Sequence, residues 1–104
     1  MPSTRDYKIT VAKRLKHDPA FARATFSEAL ALLILGEPDV VRLTLADLIE
    51  NTTGFKKIAT KVGCKKTVLR ELLSPTGAPS MDMLSSIFNA IRMELEIEVE
   101  IKCL

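Results

Sequence analysis

Histidine and cysteine are nearly missing from this chain of 104 residues, which has one His, His17, and two Cys, Cys64 and Cys103. A lone histidine supplies no ligand pair for zinc, and no Cys–His couple stands at a motif spacing. Neither a metal nor a cofactor is therefore expected. Two cysteines also make no framework of the kind that staples a small secreted domain, so the expected compartment is a reducing cytoplasm. Glycine and proline are scarce, at four and five residues, which argues against fibrous or disordered chains. No Gly-rich phosphate loop occurs. The longest apolar run, in the helix ending with Ala29-Leu30-Ala31-Leu32-Leu33-Ile34-Leu35, is too short to span a bilayer. No catalytic constellation can be assembled, and the chain is not expected to be an enzyme.

What is present fits one domain over residues 1–104: 47% of residues are apolar and 27% charged. Such a chain buries roughly two-thirds of its unfolded surface, and pairing with a second copy would add to that. The net charge of +2 conceals a strong asymmetry. Residues 1–54 hold seven Lys/Arg and seven Asp/Glu; residues 55–80 hold six basic residues and one acid; residues 81–104 hold two basic residues and five acids. The central band, Lys56, Lys57, Lys61, Lys65, Lys66 and Arg70, is a candidate footprint for a polyanion, because each cation set near a phosphate releases a counterion. The alternative is a solvated helix face.

Periodicity predicts mainly helices. Residues 1–5 read as a loose terminus, and Tyr7 to Lys16 as a short helix or poor strand with Ile9, Val11, Ala12 and Leu15 on one side. Asp18-Pro19 starts a helix that Gly36 stops, and its apolar second half implies burial. Glu37-Pro38 opens another, with Val41, Leu45, Leu48 and Ile49 inward, ending at Thr52-Thr53-Gly54. After a turn-rich loop from Ser74 to Pro79, Ser80 caps a helix from Met81 to about Ile91, with Met83, Leu84, Ile87, Phe88 and Ile91 inward. Residues 94–102 alternate charged and apolar, which predicts a C-terminal strand burying Leu95, Ile97, Val99 and Ile101. A lone strand needs another edge. Pairing with a second copy makes the expected assembly a homodimer; pairing with Tyr7 to Val11 of the same chain is the alternative. Glu94, Glu96, Glu98 and Glu100 would then form a solvated edge, a simpler reading than a cation site.

Between these elements, residues 55–74 carry the constraints of a helix-turn-helix. Ile58, Ala59 and Val62 face inward, Gly63 makes the turn, Cys64 plugs beneath it, and Leu69 and Leu72 anchor the second helix. Lys65, Lys66, Thr67, Val68, Arg70 and Glu71 are left outward. A basic helix docked by its N-terminal end suits the major groove of double-stranded DNA. Arg70 is the expected guanine contact, followed by Lys66 and Thr67, whereas Lys56, Lys57, Lys61 and Lys65 are the expected phosphate contacts. A purely structural hairpin is the competing reading.

From about Ala29 onward the chain resembles the HigA-like antidote proteins (antitoxins) of bacterial addiction modules, which carry a Cro/C1-type (XRE) helix-turn-helix. The likeness rests on Gly54-Phe55 before Ile58-Ala59, on Val62-Gly63, on Leu69 followed by Leu72-Leu73-Ser74, and on Gly77-x-Pro79 before Met81-Asp82-x-Leu84; Arg92-x-x-Leu95 completes it. The resemblance implies an all-α, lambda repressor-like domain of about five helices, with a terminal strand that pairs in a homodimer. It also implies repression at the chain's own operator and neutralisation of a ribonuclease-type toxin partner. Lys65 replaces the usual Ser or Thr cap, Cys64 a larger aliphatic residue, and Ala78 the usual Asn. Two alternatives stay open: a stand-alone regulator without a toxin, and a protein-binding adaptor that has lost DNA contact.

Overall fold

The structure, a computed structural model, describes residues 4–104. Six helices run through it: α1 (Thr4–His17), α2 (Pro19–Ile34), α3 (Pro38–Asn51), α4 (Phe55–Val62), α5 (Lys66–Leu72) and α6 (Met81–Glu94). No strand occurs among the described residues. The expected loose terminus falls partly outside them, at residues 1–3, but Thr4 and Arg5 belong to α1.

Local chemistry sets the helix ends. The Asp18 carboxylate accepts from the N–H groups of Ala20 and Phe21 at 3.1 and 3.2 Å, and Pro19 fills the first turn, where an N–H is not needed. Ser80 Oγ caps α6 by accepting from Met83 N at 3.1 Å. These helices enclose one apolar core. Phe26 of α2 meets Phe88 of α6 edge-on, with ring centroids 5.7 Å apart, and Leu45, Leu48 and Ile49 of α3, which packs on α1, α2 and α4, are fully buried in the same core. Every buried side chain of this core is apolar.

Three sequence expectations require correction. First, the apolar end of α2 is not buried: Ile34 is 77% and Leu35 73% exposed, because a single chain offers that last turn nothing to pack against. Second, α1 is wholly helical, so Tyr7 to Val11 provides no strand edge, and its Ile9 faces outward.

Third, the terminal strand is absent, and α6 continues to Glu94, past the expected stop near Ile91. Its end is a Schellman closure. Leu95 is the C-cap, Glu96 takes a left-handed φ of 53°, and Glu96 N and Ile97 N donate to Met93 O and Arg92 O at 3.2 and 2.9 Å. Leu95 is thus a half-buried helix end and Ile97 a buried staple. Val99 and Ile101 are exposed in a segment whose backbone makes no hydrogen bond within the described residues. Strand pattern without a ladder partner leaves irregular chain.

Candidate nucleic-acid interface

The two helices singled out by charge form a tight bihelical unit. Ile58 and Ala59 are buried on the inner side of α4, and Val62 packs partly against the same core. Gly63 then turns the chain. Its φ of 80° is left-handed, a conformation that a side chain resists, and it lets Gly63 N and Cys64 N both donate to Ala59 O, at 2.9 and 3.0 Å. Cys64 is half-buried against the core, as a plug should be. In α5 Leu69 is fully buried, but the second anchor is Leu73, at i+4 and just past the helix; Leu72, expected in that role, stays half-buried.

Helix α5 is therefore seated by one edge. Lys65, Lys66, Thr67, Val68, Arg70 and Glu71 all face solvent. Lys65 occupies the N-cap position in extended conformation, and its ammonium cannot accept a hydrogen bond, so the first N–H groups of α5 lack a side-chain acceptor. A lysine there sits at the positive end of the helix dipole, an arrangement that an anion would relieve.

The band of cations divides into two sets. Lys56, Lys65 and Lys66 form no ion pair with any described residue. Lys57 and Lys61, one turn apart on α4, both reach Glu94 at the end of α6, with N–O distances of 3.5 and 3.2 Å. The hydrogen bond from Lys61, opposed by desolvation and aided by the charges of Lys57 and Lys61, holds the Glu94 carboxyl below the usual range for glutamate. Lys56, Lys57 and Lys61 line one depression of about 540 Å³ together with Thr53 and Thr60.

Arg70 is also engaged. Its Nη1 donates to Glu50 Oε2 at 3.1 Å, and its guanidinium lies over the Phe55 ring, 4.3 Å from the centroid. Helices α3, α4 and α5 thus converge on one side chain.

Sequence reasoning missed Glu50 and Arg42, and it put Glu94 on a solvated strand edge, whereas Glu94 is the half-buried last residue of α6 and is bound by two lysines. Arg42 of α3 is nearly enclosed: Nε donates to Ser74 O and Nη2 to Pro75 O, both at 3.2 Å, while Asp39 pairs with the same Nη2. This clamp ties the loop after α5 to α3. Gly77 tightens the loop further, since a side chain there would collide with the backbone carbonyl oxygens of Leu72 and Glu71. All three residues act across 20 or more positions of sequence, or from an acidic run that read as a strand. The only local signal was Arg42 itself, a cation beside the apolar Val41 on an otherwise apolar helix face.

Elsewhere, a groove of about 740 Å³ runs between α2 and α6, lined by Leu30, Ile34, Phe88, Val99 and Ile101 among others. Both cysteines are unbridged thiols. Among the described residues no three His, Cys, Asp or Glu side chains gather as a metal site, and no helix is long and apolar enough to cross a membrane. No protein-family profile, curated protein or solved structure matches this chain.

Proposed function

We propose that this chain is a sequence-specific DNA-binding repressor that acts in the bacterial cytoplasm as the antitoxin of a toxin–antitoxin pair, binding its own operator and neutralising a ribonuclease-type toxin. The observation that carries the DNA-binding part is the exposed, basic, N-terminally uncapped α5, held against α4 by the left-handed turn at Gly63. In this reading Lys66, Thr67 and Arg70 face base edges, and Lys56 and Lys65 hold phosphates. Lys57 and Lys61 contribute at the cost of their bonds to Glu94. The toxin and operator parts rest on the resemblance to HigA-like antidotes.

The same reading makes the protein a homodimer. The unbonded segment after Ile97, with Val99 and Ile101 exposed beside the open end of α2, is covered by its counterpart in a second copy. The pairing strand then begins at Glu98, since Leu95 and Ile97 close α6. Light scattering on the wild-type chain and on Ile101→Glu checks this, with a dimer expected for the first and a monomer for the second.

Titration with duplex DNA at several salt concentrations tests the function. A reader shows steep salt dependence and a surplus affinity for the DNA upstream of its own gene. Arg70→Ala is expected to cost about 1–3 kcal/mol on that site and little on unrelated duplex. The pairing of Lys57, Lys61 and Arg70 with carboxylates is the one observation that favours a protein-binding adaptor. Absence of duplex binding even at low salt would select that reading.

A further inference from the structure

An arginine that reads guanine must bring two donors to O6 and N7 at once, so the direction of its guanidinium matters as much as its charge. Arg70 has one edge already committed: Nη1 is bonded to Glu50 Oε2, while Phe55 lies under the guanidinium face. Nη1 lies on the Cδ side of the guanidinium; the opposite edge, formed by Nε and Nη2, holds no hydrogen bond among the described residues. That edge is a two-donor fork. The chain uses the same fork elsewhere, where Arg92 Nε and Nη2 both donate to Asn89 Oδ1 at 3.2 and 2.9 Å.

We infer that Glu50 is a positioning residue for base recognition, which together with Phe55 holds Arg70 so that its Nε–Nη2 edge is presented to a guanine. This rests on the DNA-binding reading above and deepens it. Arg70 and Glu50 are both about half exposed, so their ion pair adds little to stability, and a stabilising role does not explain it. Orientation does, because a guanidinium bonded at one edge and stacked on one face has few rotamers left to lose when it meets a base. Glu50 also opposes loose binding. A carboxylate beside the contact repels phosphate and penalises any pose in which Arg70 leaves it for the DNA backbone. Glu50 therefore lowers affinity for arbitrary duplex while sharpening the preference for one base.

The test uses the wild-type chain to enrich binding sequences from a randomised duplex library. Each enriched guanine is then replaced by 7-deazaguanine, which removes N7 alone. For the wild type, one such replacement is expected to cost at least about fivefold in affinity. Arg70→Lys keeps the charge, loses the fork and is expected to be indifferent to the replacement. Glu50→Gln is expected to bind unrelated duplex more tightly and to lose most of the deazaguanine penalty. In the Arg70→Lys background Glu50→Gln leaves that penalty unchanged. Circular dichroism confirms folding of each variant, as both side chains are on the surface. A Glu50→Gln protein that keeps the full penalty overturns the inference while leaving DNA reading intact. Failure of the wild type to enrich any sequence overturns both.

Discussion

Removing the Glu94 carboxylate separates two views of the cationic face of α4. In the structure Lys57, Lys61 and Glu94 form a triad of net charge +1, and Glu94→Gln raises it to +2. Each additional effective phosphate contact steepens the dependence of log K on log salt by about 0.9 for duplex DNA. A dimer carries the change twice, so the slope becomes more negative by about 2. A fourfold rise in salt then weakens the variant about tenfold more than the wild type. At low salt the variant binds tighter, with the gain falling equally on operator and unrelated duplex, because phosphate contacts carry no sequence information. Fluorescence anisotropy with labelled duplex at four or five salt concentrations measures both slopes directly. The lysine ends of both pairs are open to solvent and Gln keeps the size of the half-buried Glu94, so the melting temperature should move little. An unchanged slope would show that α4 does not face the phosphate backbone. A loss of affinity would show that Lys57 and Lys61 bind only when Glu94 orients them.

Gly77→Ala places a Cβ against Leu72 O and Glu71 O, backbone atoms that cannot move without uncoupling the loop from α5. The expected cost is about 1–3 kcal/mol, seen in thermal unfolding as a fall of about 4–8 °C per kcal/mol for a domain of this size. Asp47 is partly buried on α3, and its carboxyl is pushed above the usual range by desolvation, with Lys8 opposing the shift and Glu50 adding to it. Its folded-state pKa exceeds the unfolded value near 4, so the associated stability is full below about pH 4 and declines as pH rises through the raised pKa. Asp47→Asn should therefore be more stable than the wild type at neutral pH, with the difference vanishing in acid; denaturant titrations at pH 3 and pH 7 check the sign.

Much of this architecture was legible because its determinants are local. Asp18-Pro19 and Ser80 announce helix starts through side chains that reach only two or three residues ahead, and both act so in the structure. Gly63 announces the turn, since its left-handed backbone has few other occupants. The errors arose where the deciding partner is distant or missing. The alternation from Glu94 to Lys102 has strand periodicity, but it overlaps a helix end that closes at Glu96 without the usual glycine, so no stop signal was visible. Burial of Ile34 and Leu35 was inferred from an apolar run, and periodicity cannot say whether the covering surface belongs to the same chain. Leu73 displaced Leu72 as an anchor because i+3 and i+4 neighbours share a helix face and only the packing angle chooses between them.

The candidate site was legible only as charge. Residues 55–80 count six cations against one acid along the sequence, whereas in space Glu94 and Glu50, brought in from α6 and α3, engage three of the six. Among the described residues the unpaired remainder is Lys56, Lys65 and Lys66. Ion pairs whose cationic end is open to solvent contribute little to folding, so the consequence of the two glutamates lies in the surface they leave behind. For a DNA reader that consequence has a direction. Unspecific attraction to phosphate grows with every free cation and brings competition from all other duplex in the cell, so what matters is the ratio of specific to non-specific affinity. A carboxylate that only neutralises lysines lowers both terms and leaves that ratio unchanged, while one that fixes an arginine on a base and repels phosphate raises it. Glu94 is placed to do the first and Glu50 the second, which is why the two substitutions should differ: Glu94→Gln multiplies both affinities alike, whereas Glu50→Gln lifts the unspecific affinity and weakens the preference for the guanine that Arg70 reads.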